Sequence, residues 1–233
     1  MKKLTTPQCT LCTVKNRMCI VKHGEGPIFC PTKKYITIKN AIKEYEKPEI
    51  QKFANVASIQ EAECYTNRHI KPYVLHPVKP RVQEIYEFAK KMSYKKIGVA
   101  FCIGLHSEAR ALSNILKVQG FNVVSVICKV GCTPKEVIGI EDDAKIRIGE
   151  FETMCSPIVQ AILLNEEKTD FNILVGLCVG HDSLFFKYSK AFTTVLVVKD
   201  RVLAHNPVGA LYTTGSYYAR LMKPGIDLVE PNE

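Results

Sequence analysis

Eight of the ten cysteines fall into two sets whose spacings point to different chemistry. Cys9, Cys12, Cys19 and Cys30 run as Cys9-x2-Cys12-x6-Cys19-x10-Cys30 in a polar, turn-rich N-terminal segment. A two-residue gap lets both thiolates of one turn reach a single ion or cluster, and four thiolates suit tetrahedral zinc or a cubane iron–sulfur cluster. Structural zinc more often uses two close pairs. A single close pair followed by isolated cysteines, the last in Cys30-Pro31, leans toward an iron–sulfur cluster, with zinc as the alternative. Residues 1–32 carry little apolar content to bury, so metal binding is the natural staple for this segment.

The second set, Cys102, Cys128, Cys155 and Cys178, is spread through a region of alternating strand and helix patterns. Phe101-Cys102-Ile103-Gly104-Leu105-His106-Ser107 and Leu177-Cys178-Val179-Gly180-His181-Asp182-Ser183 are versions of one pattern: apolar strand, Cys, aliphatic, Gly, two residues, Ser. Each follows a strand and opens a helix. The glycine allows close backbone approach, the serine can cap the helix, and a cysteine near a helix N-terminus has a lowered pKa. Cys128 lies near the end of the intervening strand, and Cys155 directly precedes Ser156-Pro157, where proline in a first turn marks another helix start. The four converge, on this reading, with His181 on one edge as a shared metal or thiol site. The alternative is that each is a small buried hydrophobe. Cys132 and Cys64 are read as packing residues. His205, before Asn206-Pro207, either joins the edge or satisfies a turn, and His23, His69, His76 and His106 are read as solvated or structural.

The elements that must position these residues are legible from hydrophobic period. Helical spacing runs from Tyr35 to about Tyr65 around a break at Pro48, and Lys71 to Pro80 carries three prolines and reads as a connector. Beyond it come a helix (82–92), strand (96–102), helix (107–119) and strand (121–130). A loop (131–154) precedes a helix (157–167), strand (171–178), short helix (183–190), strand (192–199) and final helix (208–222). Near-continuous apolar strands such as Ile97-Gly-Val-Ala-Phe101 and Ile173-Leu-Val-Gly-Leu177 suit a sheet covered on both faces. The expected architecture is α/β: a Rossmann-like, mostly parallel sheet of four or five strands with helices on both faces, preceded by a cysteine-rich knuckle and a helical connector. The expected divisions are 1–32, 33–80 and 81–233. In such sheets ligands collect at the carboxyl ends of the strands, where the second cysteine set falls.

At 26.2 kDa and 46% hydrophobic residues the chain can bury a sizeable core. Its net charge of +9 is dispersed as pairs such as Lys33-Lys34, Lys90-Lys91 and Lys95-Lys96, without a basic tract interleaved with aromatics, which argues against nucleic acid as the partner. Met1 to Cys9 holds no apolar core of signal-peptide length and no run approaches membrane-spanning length, so the expectation is a cytoplasmic protein with reduced thiols and no membrane partner. The absence of GxGxxG, P-loop and GxSxG patterns removes motif support for nucleotide or serine-hydrolase chemistry.

Together, Phe29-Cys30-Pro31-Thr32, Ile97-Gly-Val-Ala-Phe-Cys-Ile-Gly-Leu105, Cys128-Lys-Val-Gly131, Met154-Cys-Ser-Pro157, Val175-Gly-Leu-Cys-Val-Gly-His-Asp-Ser183 and His205-Asn-Pro207 resemble the domain-of-unknown-function family 1847. That family is described as predicted metal-binding proteins, and the similarity covers nearly the whole chain. The resemblance implies Cys9, Cys12, Cys19 and Cys30 as ligands and makes Cys102, Cys128, Cys155, Cys178 and His181 signature positions; it implies no reaction. Three functions stay open: redox or sulfur chemistry on a small-molecule ligand or with a redox partner, binding or sensing without turnover, and a structural-zinc knuckle beside inert core cysteines.

Overall fold

The computed structural model describes residues 6–225. The chain divides into two compact units, Met1–Glu63 and Cys64–Glu233. In the first, helices α1 (Tyr35–Ile42) and α2 (Pro48–Glu63) follow the cysteine-rich segment, with the helical run broken ahead of Pro48 by a 3-10 turn over Lys43–Glu46. Proline lacks the N–H that a continuing helix needs but fits a first turn, so it ends one helix and opens the next.

The second unit begins with a two-stranded antiparallel ribbon, β1 (Tyr65–Thr66) and β2 (His76–Pro77), which occupies part of the stretch read as an unstructured connector. The α/β core then runs α3 (Arg81–Lys91), β3 (Lys96–Phe101), α4 (His106–Val118), β4 (Asn122–Ile127), α5 (Pro157–Glu166), β5 (Phe171–Val175), α6 (His181–Tyr188), β6 (Thr193–Val197) and α7 (Val208–Tyr212). The four strands form a parallel sheet in the order β4-β3-β5-β6. Right-handed crossovers put α4 on one face and α5 and α6, which pack together, on the other. The order reverses between β3 and β5, the topological switch point at which open α/β sheets bind ligands.

Every residue of β5, and every residue of β3 beyond Lys96, is buried, as continuous apolar strands require, whereas edge strand β4 is mostly part-exposed. α4 buries Ala109, Leu112 and Leu116, and α5 buries Gln160, Ala161 and Leu164, each a stripe at helical spacing. The amino edge is closed. Tyr94 stacks on Phe171 at 5.7 Å between ring centroids, and Asp170 accepts the Lys95 and Lys96 amides at 2.7 and 2.8 Å. The carboxyl edge is where side chains remain available.

Two glycines of the α/β core, Gly98 and Gly176, are sites of close approach. Gly98 lies opposite the buried Asn172, whose Oδ1 accepts from the Thr169 hydroxyl at 2.8 Å; a Cβ on Gly98 would stand 2.1 Å from that oxygen. Gly176, at φ +69°, turns the chain just beyond β5, and its Cβ would fall 2.0 Å from Cδ1 of Leu105. Packing Leu105 against Gly176 joins the turn after β3 to the turn after β5.

Three sequence expectations need correction. The strands end at Phe101, Ile127 and Val175, short of Cys102, Val130 and Cys178, because the Leu105 and Val130 amides bond back to the Cys102 and Ile127 carbonyls and Gly176 turns out of the sheet. The cysteines after them therefore sit in turns. The final helix stops at Tyr212, with only a 3-10 turn over Ala219–Met222 beyond. Thr213-Thr214-Gly215-Ser216 ends it: the three hydroxyls bond nearby carbonyls, and glycine favours no helix. Lastly, Ser107 and Ser183 lie inside α4 and α6, and neither helix has a side-chain cap at its start.

Gly98→Ala is expected to cost roughly 1–3 kcal/mol, the usual range for overpacking a tight core. Gly176→Ala should cost on the order of 1 kcal/mol more, because it also places a β-carbon at positive φ. Denaturant midpoints at unchanged slope check both.

Candidate functional site

Three chain segments bring Cys102, Cys128 and Cys155 together. The β3–β4 register pairs Phe101 with Ile127 and continues one step further, since the Cys128 amide donates to the Phe101 carbonyl at 2.9 Å; Cys102 and Cys128 are therefore cross-strand neighbours just past the sheet. Cys102 is also tied to the other side, its amide donating to the Val175 carbonyl at 3.1 Å. Cys155 arrives through the loop 131–154. Its base is a short antiparallel pairing, with a Pro134–Thr153 bridge and the Met154 amide on the Thr133 carbonyl at 2.8 Å. The next amide, Ser156, donates to the Cys128 carbonyl at 2.7 Å, and α5 starts at Pro157.

Ion pairs fold that loop on itself. Lys145 Nζ lies 2.6 Å from Glu136 and 2.9 Å from Asp142, and Lys135 Nζ lies 2.7 Å from Glu152. Gln160 of α5 donates to the Phe101 and Val126 carbonyls at 3.2 and 2.7 Å, which fixes the strand ends beneath the thiols. Its Oε1, like the Ser156 hydroxyl, is buried without a partner among the described residues.

The thiols form a chain through Cys128. Its pKa is pushed far up, first because its proton is held in hydrogen bonds to Cys102 and then to Cys155, with burial adding to the effect. The outer two move the other way. Cys102 is lowered to about 5, chiefly by the Cys128 hydrogen bond, with the Gly104 amide and Lys199 contributing against the opposing effect of burial. Cys155 is lowered to about 6, again chiefly by Cys128, with the charges of Lys129 and His181 helping while burial and the Cys102 charge oppose. Hydrogen bonds to the ionised form favour it, so one buried thiol supports a thiolate on either side. The Ile103 amide donates to Cys128 Sγ at 3.3 Å.

Cys178 and His181 lie on the same carboxyl edge. Cys178 follows β5 as Cys102 follows β3, and its Sγ accepts from Arg201 Nη2 at 3.1 Å rather than joining the thiol chain. Its carbonyl accepts the His181 and Asp182 amides at the start of α6. The two similar turns differ in their glycines: Gly180 takes φ +84°, while Gly104 sits in a 3-10 turn. His205 serves its turn, with Nδ1 accepting the Asp200 amide at 3.2 Å. Cys132 is exposed, 3.5 Å from the Thr153 hydroxyl, and Cys64 is buried.

The N-terminal cysteines are placed differently. Cys9 and Cys19 are exposed, Cys12 and Cys30 half-buried, and no residue from 6 to 34 is buried. Cys30 is lowered by hydrogen bonds from the Thr32 hydroxyl and amide and by the charge of Lys33. Among the described residues, no three or more His, Cys, Asp or Glu side chains form a group that could hold a metal ion. The donor chemistry fits a soft metal and residues 6–34 include no buried side chain, but the four sulfurs are not gathered around a point.

Sequence reasoning missed Lys129, Lys199, Arg201 and Gln160. The first three had a signal, since each lies within four residues beyond a strand that ends at the functional edge. Gln160 had none, because its role depends on carbonyls far away in sequence.

Alkylation of Cys155 by iodoacetamide, mapped by mass spectrometry, should rise with a midpoint near pH 6 and stay level from pH 7 to 8.5. Free N-acetylcysteine run as a control should climb about tenfold per pH unit below an ordinary thiol pKa of roughly 8.5. Cys128→Ala removes the main lowering hydrogen bond and should move the Cys155 midpoint upward.

No helix among the described residues is long and apolar enough to cross a membrane. No solved structure matches the chain. It is 51% identical over 193 residues to the uncharacterized protein MJ0455 of Methanocaldococcus jannaschii, an alignment covering 83% of this chain and 91% of that one. The sequence model of DUF1847, described as a protein of unknown function, matches residues 30–196, which run from Cys30 through β3 into β6 and include every cysteine of the thiol chain but not Cys9, Cys12 or Cys19. The chain belongs to the DUF1847 family.

Proposed function

We propose that the carboxyl-edge cysteines carry out thiolate chemistry, redox or sulfur handling, on a small molecule, and that Cys9, Cys12, Cys19 and Cys30 hold a metal centre, an iron–sulfur cluster in preference to zinc. One observation carries the first part: Cys102 and Cys128, cross-strand neighbours just past the sheet, and Cys155, brought in by the Ser156 amide on the Cys128 carbonyl, meet at the sheet's switch-point edge. Packing cysteines would gain nothing from this arrangement. A small buried hydrophobe has no use for Lys199 and an amide on one neighbour and Lys129 and His181 beside the other.

Each residue then has a task. Cys155, half-buried, is the thiolate that meets solvent and substrate. Cys128 keeps a proton at the centre of the site. Gly104 and Lys199 hold Cys102 ionised beneath it. Lys129, Lys199 and Arg201 give the edge a positive field that concentrates small anions. The N-terminal reading is supported by four soft donors in a segment with no buried residue, for which metal affinity would be folding energy. An iron–sulfur cluster there supplies one-electron transfer when bound, and no step at the carboxyl edge is assigned to it.

Anaerobic purification followed by metal analysis and an absorption spectrum tests both parts. Brown protein whose iron disappears in Cys9→Ser/Cys12→Ser, with the fast Cys155 thiol intact, is the expected result. Colourless protein holding one zinc would replace the cluster with the structural metal. Four freely alkylated N-terminal thiols in metal-replete native protein would overturn the metal centre, and a Cys155 of ordinary reactivity would overturn the thiolate site.

A further inference from the structure

We propose that Cys155, Cys128 and Cys102 act as a three-thiol relay that reduces small anionic disulfides, an inference that rests on the thiolate reading above and gives each sulfur a separate step. Exposure orders the three. Cys155 is half-buried and reachable, whereas Cys102 is 8% and Cys128 2% exposed. A disulfide entering the edge therefore meets Cys155 first, beside the positive charges of Lys129 and His181. Cys128 stands behind it, its carbonyl accepting the Ser156 amide at 2.7 Å, and Cys102 is the cross-strand neighbour of Cys128 on the far side.

In the first exchange, the Cys155 thiolate attacks one sulfur of R–S–S–R. The new bond is Cys155–S–S–R, the R–S–S–R bond breaks, and one RS⁻ leaves. In the second, Cys128 passes its proton to the Cys102 thiolate and attacks Cys155 Sγ. The Cys128–Cys155 disulfide forms, the mixed disulfide breaks and the second RS⁻ leaves. The substrate has gained two electrons, the Cys128–Cys155 pair has lost two, and the Cys128 proton rests on Cys102. An external dithiol reverses the oxidation by the same two exchanges.

The arrangement favours a disulfide over a carbon electrophile. A lone thiolate serves the latter, and a second thiol held directly behind the attacking sulfur has no step in that chemistry. Disulfide exchange requires that second thiol, and its rate depends on how readily the thiol loses its proton. Cys102, the cross-strand neighbour of Cys128, is the acceptor beside it. Lys129, Lys199 and Arg201 favour an anionic substrate; Asp200, the acid between two of them, has Oδ1 on the Val202 and Leu203 amides at 2.9 and 2.7 Å, and Asp182 has Oδ1 on the Ser183 amide at 2.8 Å.

The test treats the reduced full-length protein anaerobically with oxidised glutathione as probe, quenches with acid and maps peptides by mass spectrometry. Wild type should give a Cys128–Cys155 linked peptide with two glutathiones released per link. Cys128→Ser should stall as glutathione on Cys155 with no link; Cys128→Ala repeats this if the serine variant is destabilised, with thermal melts as the folding control. Cys102→Ser should still form the Cys155 adduct but close the link, measured from the preformed adduct, slower by on the order of tenfold or more, as loss of a positioned proton acceptor requires. Cys155→Ser should give neither adduct nor link. Stable Cys155 adducts without a link in wild type, or a Cys102–Cys128 link formed equally well in Cys155→Ser, would overturn the relay. A fast, acid-shifted Cys155 thiol seen alongside either result would leave the thiolate site standing, so the two failures are distinguishable.

Discussion

The site depends on one proton. Cys128 is buried and bonded on both sides to cysteines, so its thiol is the one donor that Cys102 and Cys155 share. Burial alone would keep all three neutral. The shared hydrogen bond reverses that for the outer two, and the cations placed around them reinforce it: Lys199 beside Cys102, Lys129 and His181 beside Cys155. Two thiolates near one another repel, and that repulsion is tolerable only because a thiol stands between them and cations stand outside.

The parallel sheet makes this possible. Parallel strands all present their carboxyl ends on one edge, and the order β4-β3-β5-β6 puts Cys102 between the ends of β4 and β5. Register brings Cys128 alongside it, and the paired base of the loop 131–154 returns Cys155 to the same point. The Gly176–Leu105 contact fixes the turn carrying Cys178 against the turn carrying Cys102. Tyr94, Phe171 and Asp170 pack and hydrogen-bond at the opposite edge.

Much of this was legible in the sequence, and the exceptions have physical causes. Continuous apolar β3 and β5 announced a sheet covered on both faces, and the repeated strand–Cys–x–Gly turns announced that Cys102 and Cys178 share an edge. Periodicity says little about where a strand ends, which is set by backbone bonds such as Leu105 to Cys102 and by the left-handed Gly176. It also overran α7, because apolar spacing continues past Tyr212 while the hydroxyls of Thr213, Thr214 and Ser216 bond to backbone carbonyls. Cysteine count alone could not separate the thiol chain from Cys178, whose sulfur takes Arg201 instead. The cations left a trace, each lying just past a strand end, but which thiol each one serves is spatial: Lys199 and Cys102 are far apart in sequence. At the N-terminus, spacing is informative about donor type, but the positions of the four sulfurs depend on whatever draws them together.

Cysteine ¹³Cβ chemical shifts, followed from pH 4 to 9 in selectively labelled protein, test the shared proton most directly. The account predicts that Cys102 and Cys155 pass from thiol to thiolate near pH 5 and 6 while Cys128 stays a thiol throughout. Three thiols titrating together in the ordinary range of roughly pH 8 to 9 would contradict it.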